Sequence, residues 1–346
     1  MRLPAFEKKI TPARLALAIA IIGAWALLAP SANAAGGELR LDPAQVMGPD
    51  ACGECHKSSV SAWKPSHHST TFKDLPRSKK AKEIGKKMGI RRIKADSDCL
   101  TCHFTSAVVG EKTKPVAGIS CESCHGAGKG WIKLHSDYGG KGAKKESESA
   151  EHKTKRYADS EAAGMIRPSR LYQVANNCFE CHTVPNEKLV NVGGHTAGSK
   201  FDLVAWSQGE VRHNVWYSKD NNGASANRKR MMYVVGKALD LEHALRGVGK
   251  ATKKANYAKA MARRAKAARV ALEKMAAAVQ APELAEMIAA AKAAKLKLNN
   301  ADALNAAADK VGAAARKFAE AHDGSAFAGL DAMMPGADKY KGKAVP

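Results

Sequence analysis

Apolar and polar positions follow three regimes along the chain. Leu15–Leu28 is an unbroken apolar run behind a basic segment, Met1–Arg14, and a Pro-Ser break then leads to Ala32-Asn33-Ala34. A charged start, an apolar middle and an A-x-A end predict a secretory signal peptide over residues 1–34. From about Asn227 the apolar positions recur at 3-4 spacing: Met231, Val234, Ala238, Leu241, Leu245, Val248, then Tyr257 to Val279, then Leu304 to Phe318. That period predicts amphipathic helices. Pro282 suits a first helical position, Asn299 or Asn300 an N-cap, and Gly324 a stop. Residues 227–346 therefore read as a bundle of about four helices with small Ala layers. Residues 35–226 are expected to show short helices, long loops and little sheet, for the reason the cysteines give below. The fold class is mainly α.

The eight cysteines all fall in the middle regime: Cys52, Cys55, Cys99, Cys102, Cys121, Cys124, Cys178 and Cys181. In an exported chain disulfides are the usual use. The spacing argues otherwise. Each pair is C-x-x-C, and each is followed at once by histidine: His56, His103, His125 and His182. C-x-x-C-H is the attachment signature of c-type haem. Two thiols reach the two vinyl groups of one porphyrin, and the next residue swings beneath the ring to bind iron. Zinc chemistry asks for no histidine directly after each second cysteine. A redox dithiol would need a βαβ context, which this sequence lacks. Four covalently bound haem c groups also account for a chain in which only 5% of residues are aromatic, since a core built around porphyrins needs few large rings of its own. The predicted organisation is a signal peptide (1–34), a tetrahaem cytochrome c domain (35–226) and a helical bundle (227–346).

Eight histidines remain: His67, His68, His135, His152, His195, His213, His243 and His322. Whether they complete the irons separates a carrier, with two axial ligands per haem, from an enzyme with an open position. The stretches CGECHKSSVSAWKPSHHSTTF, CESCHGAGKGWIKLH and KFDLVAWSQGEVRH resemble the tetrahaem cytochrome c-554 family over roughly Ala51–Tyr217. The resemblance implies that His135 caps the first haem (His56), His68 the third (His125) and His213 the fourth (His182). It also implies a second haem (His103) without a sixth protein ligand. His195, between glycines in NVGGHTAG, has no counterpart in the family pattern; it either fills that position or lines a pocket beside it. His67 reads as a hydrogen-bonding neighbour of His68, and His152 as a solvated residue in a charged run. His243 reads as a polar-face residue of a bundle helix, and His322 as a last-turn histidine.

The formal net charge is +23, of which Asn227–Pro346 carries +12, and a second basic stretch spans Lys79–Lys94. Such a surface steers toward acidic partners. Redox partner proteins with acidic docking surfaces are the first candidate and peripheral contact with an anionic membrane surface the second. Export and haem content argue against nucleic acid. The function expected is a periplasmic electron carrier, relaying electrons between partner proteins through closely spaced haems. Its competitor is an enzyme reducing a small nitrogen oxide, nitric oxide among them, at an open five-coordinate haem on Cys99 and Cys102. No acid–base constellation in the sequence supports that competitor.

Overall fold

The computed structural model describes residues 39–95, 97–216 and 220–346; the signal-peptide expectation lies outside them. The middle of the chain is built from short helices: α1 Pro49–Gly53, α2 Lys57–Trp63, α3 His67–Asp74, α4 Lys79–Met88 and α5 Leu100–His103 come first. A hairpin, β1 Thr105–Val109 and β2 Lys112–Ala117, follows, then α6 Cys121–His125, α7 Ala150–Ala162, α8 Leu171–His182, α9 Glu187–Asn191 and α10 Leu203–Ser207. The fold is mainly helical, and this antiparallel pair is the one sheet among the described residues.

Local chemistry sets the helix starts. Ser66, Ser78, Ser149, Asn186, Asp202 and Ser225 each precede a helix and accept a backbone N–H of its first turn through the side chain. Each such cap satisfies a donor that the helix leaves orphaned. Gly89 ends α4 in the left-handed region, where a Cβ would be strained.

Four long helices make the last regime: α11 Ala226–Lys250, α12 Asn256–Ala278, α13 Pro282–Ala293 and α14 Ala301–Ala321. Pro282 stands at the first helical position of α13, and Asn300 precedes α14. The stripe residues are the core: Val234, Ala238, Leu245, Leu272, Met275, Leu284, Ala308, Val311 and Phe318 are all buried. Each buried Leu, Val, Met or Phe contributes about 1.5–3 kcal/mol relative to exposure.

The same core cluster continues into Leu171, Tyr172, Ala175 and Phe179 of α8, so α11 packs at once on its bundle partners and on the helix carrying the last two cysteines. Two polar contacts cross that junction. The Tyr172 hydroxyl donates to Glu242 Oε2 at 2.6 Å, and His243 Nε2 donates to Asn176 Oδ1 at 2.8 Å. His243 thus faces α8 rather than solvent, because the side of α11 that is polar in sequence is covered by α8. Its ring also stacks on Phe179 with centroids 6.1 Å apart.

Burial pushes the His243 imidazole down to about 4 from 6.5. Between those two values the unfolded chain binds a proton that the folded one refuses. The contribution is therefore complete above pH 6.5 and is lost as pH falls, by about 1.4 kcal/mol per unit. In urea unfolding, the wild type should lose about 2 kcal/mol more than His243→Gln between about pH 7 and about pH 5. Equal losses would place the proton-linked instability elsewhere.

Candidate functional site

Folding brings the eight candidate histidines together in facing pairs. His56 lies 6.2 Å from His135, His68 6.3 Å from His182, His103 6.4 Å from His195 and His125 6.3 Å from His213, centroid to centroid. Every pair joins one C-x-x-C-H histidine to one histidine from elsewhere. The distance has a chemical meaning. An imidazole nitrogen sits about 2.0–2.1 Å from a bound metal and about 1.1 Å from its ring centre, so two imidazoles on opposite sides of one iron lie about 6.3 Å apart. Among the described residues no group of three or more His, Cys, Asp or Glu converges as a metal cage. Two axial protein ligands are what an iron already held by four porphyrin nitrogens needs.

The rings are prepared electronically. Burial depresses His56, His68, His125 and His135, and pushes His103 and His182 down to about 4. All six stay neutral, with a lone pair free, at ordinary pH. In four of the eight, Nδ1–H donates to a backbone carbonyl: His125 to Ile166 at 3.0 Å, His135 to Ile132 at 2.7 Å, His195 to Thr196 at 2.9 Å and His213 to Val211 at 2.7 Å. Nδ1 of His182 is 3.0 Å from Ser199 Oγ. A donating Nδ1 fixes the tautomer that leaves Nε2 unprotonated, the usual support of a metal-bound histidine.

Two of the expected partnerships change. His68 faces His182 rather than His125, and His213 faces His125 rather than His182. The reason is tertiary. Ile119 N donates to the His68 carbonyl at 2.8 Å, and Trp63 Nε1 donates to the Ile119 carbonyl at 2.8 Å, so the turn after β2 fixes where α3 begins. A Cβ on Gly118 would stand 2.1 Å from the His68 carbonyl oxygen, which is why glycine is needed there. His195, open in the sequence as ligand or pocket residue, comes from the loop after α9 and faces His103. His56 and His135 face each other. His67 points away and bonds Glu210 at 2.7 Å. His152 is half-buried, not solvated, with Nδ1 2.8 Å from Glu148 Oε1.

None of the eight cysteines is joined in a disulfide, and they too meet across motifs. Cys52 and Cys121 share a hydrogen bond that raises the first thiol and lowers the second. Cys102 and Cys181 do the same, with Cys181 drawn down to about 7. The third and fourth motifs touch as well: Asn177 Nδ2 donates to the Cys124 carbonyl at 2.8 Å. The motifs are therefore neighbours in the order first, third, fourth, second.

Three supports were not legible as site residues. Buried Glu122, inside the third motif, accepts Met47 N, Gly48 N and Gly128 N at 2.7–2.8 Å and so anchors the turn leading to His135. Arg40 bridges the third and fourth motifs: it donates to the Ser123 carbonyl at 3.5 Å, to Glu180 at 2.6 Å and to Asn177 at 2.9 Å, with Nη1 3.4 Å from Cys181 Sγ. A charged residue between two cysteines was the available signal for Glu122; Arg40 carried none.

The third support is a strap. Lys341 N donates to the Ala205 carbonyl at 3.0 Å, and Glu210 N donates to the Lys341 carbonyl at 2.9 Å. Asn221 Nδ2 donates to both Arg212 and Val345 carbonyls, at 2.7 and 2.6 Å. Residues 341–345 thereby hold the loop that presents His213. A Cβ on Gly209 would lie 1.8 Å from the Lys341 oxygen, so the strap can sit only on glycine. Deleting residues 341–346 should speed hydrogen exchange at the Glu210 amide at least about tenfold while amides of α12 and α14 stay protected. Unchanged exchange at Glu210 would mean the loop holds itself.

Residues 51–126 match the family model described as "Cytochrome c554 and c-prime", a span that includes three of the four C-x-x-C-H motifs and His68. The chain is 33% identical over 96 residues to a curated protein, "Cytochrome c-554" of Nitrosomonas europaea, covering 25% of this chain. It spans about 41% of that relative's length. No solved structure matches. The fourth motif, His135, His195, His213 and the bundle lie beyond the matched family segment.

Proposed function

We propose that this chain, whose residues 51–126 belong to the cytochrome c-554 family, is an exported tetrahaem electron carrier that relays electrons between redox partner proteins. The observation that carries the reading is the set of four histidine pairs at 6.2–6.4 Å, each containing one C-x-x-C-H histidine. Cys52 and Cys55, Cys99 and Cys102, Cys121 and Cys124, and Cys178 and Cys181 would hold four haem c groups by thioether bonds. The axial pairs would be His56 with His135, His103 with His195, His125 with His213, and His182 with His68. Each haem iron, when bound, supplies a ferric–ferrous couple for one electron at a low potential, since no axial Met raises it.

The chain's own residues do the rest. Pre-aimed imidazoles would stand on both sides of each iron, so no ligand would have to move when an electron arrives. The contacts between motifs support a relay in the order first, third, fourth, second. The enzyme alternative needs an open iron at the second motif, and the placement of His195 6.4 Å from His103 counts against it. No helix among the described residues is long and apolar enough to cross a membrane. The segment 1–34 supports export to the periplasm.

The oxidised, haem-loaded protein should bind four haems per chain and give only low-spin ferric signals in electron paramagnetic resonance. His195→Gly should convert one haem in four to high spin and leave the other three. A high-spin signal in the wild type would refute six-coordination, and a count other than four would refute the motif reading.

A further inference from the structure

Helix α4 has two unlike faces. Ala81 packs inward, with Cys99 of the second motif, on the buried cluster of Ile93, Leu100 and Phe104, and Ile84 and Gly85 are buried beside it. The C-terminal half of α4 rests on the loop that carries His195: a Cβ on Gly193 would meet Met88 Cγ and Ile84 Cγ2 at 3.1 and 3.2 Å, and one on Gly194 would meet Lys87 Nζ at 3.5 Å. So α4 covers the second motif and the approach to its facing histidine.

The outward face is basic. Lys79, Lys80, Lys82, Lys86, Lys87, Arg91 and Arg92 are all exposed, against Glu83 as the lone acidic residue of that stretch. None of the seven pairs with a carboxylate among the described residues, whereas Arg40, Arg156, Arg167 and Arg170 of the same half are all matched by Glu. Val192, on the adjoining loop, is 53% exposed and gives the patch an apolar point. Seven like charges on one short face repel one another and stabilise nothing inside the fold; they gain only when an opposite surface arrives.

We propose that the outward face of α4, with Arg91, Arg92 and Val192, is the docking surface for an acidic redox protein, and that electrons cross there at the second haem. The inference rests on the carrier reading above and adds the place of exchange. That haem stands at one end of the motif order, where an exchange site belongs. A membrane surface fits less well, because the apolar residue Ile84 points inward and leaves α4 no face to insert. The step is a one-electron transfer: the donor is oxidised by one electron and this protein is reduced by one, with no bond made or broken.

The test uses the full haem-loaded chain as acceptor and reduced flavodoxin, an acidic low-potential flavoprotein, as donor. Stopped-flow rates are compared for the wild type, for Lys80→Glu/Lys82→Glu/Lys86→Glu/Lys87→Glu, and for a control with equal charge change on the bundle, Lys259→Glu/Arg263→Glu/Lys266→Glu/Lys274→Glu. The α4 variant should react at least about tenfold more slowly at low salt and lose most of its ionic-strength dependence, while the bundle control stays within about twofold. Equal slowing in both variants would show a general charge effect and overturn the assignment. So would α4 changes that abolish binding to phosphatidylglycerol vesicles but leave the flavodoxin rate intact. Haem spectra and dithionite reduction, unchanged in either variant, keep the carrier reading separate: it stands if docking at α4 fails, and falls only if the haems themselves are absent or unreactive.

Discussion

The constraint on which this structure turns is the gap of a little over 6 Å between facing imidazoles. A single iron has two axial directions, and a ligand misplaced by an ångström is no ligand. On the carrier reading, eight histidines from scattered segments must be held to that tolerance by a half-chain of short helices and loops. The fold meets the demand locally and differently at each ring. A glycine-backed contact with β2 locates His68, a buried carboxylate fixes the turn toward His135, and a carbonyl on the ring's far nitrogen orients His125, His135, His195 and His213.

The bundle takes part in this precision. Its core is continuous with α8, so the last motif sits on a helix packed against α11. Glu242 and His243 extend the contact with polar bonds that leave no buried donor or acceptor of theirs idle, which low-dielectric surroundings make worthwhile. The chain beyond the bundle then returns as a strap over the loop of His213. A region with no counterpart in the matched family segment thereby helps place two of the four histidine pairs.

Charge is distributed by a separate logic. Arginines near the motifs are neutralised by glutamates and bridge segments, as Arg40 and Arg156 do. The lysines of α4 gather on its outward face with no carboxylate partner among the described residues. The first group serves the geometry of the site and the second the approach of something acidic.

Much of this was legible before any coordinates. The C-x-x-C-H repeats are covalent chemistry, and their spacing is set by the porphyrin edge, so they read without a fold. The helix stripes of the bundle, Pro282 and the candidate distal histidines are likewise local patterns. Apart from His56 with His135, which the family pattern suggested, the partnerships were not legible. Nothing in the order of residues tells His68 to meet His182 rather than His125, or brings His195 to His103, because a ligand 6 Å away is chosen by packing and not by distance along the chain. Arg40, Glu122 and the strap at Lys341 were hidden for the same reason: each acts through a backbone or side chain that only the folded chain brings within a hydrogen bond.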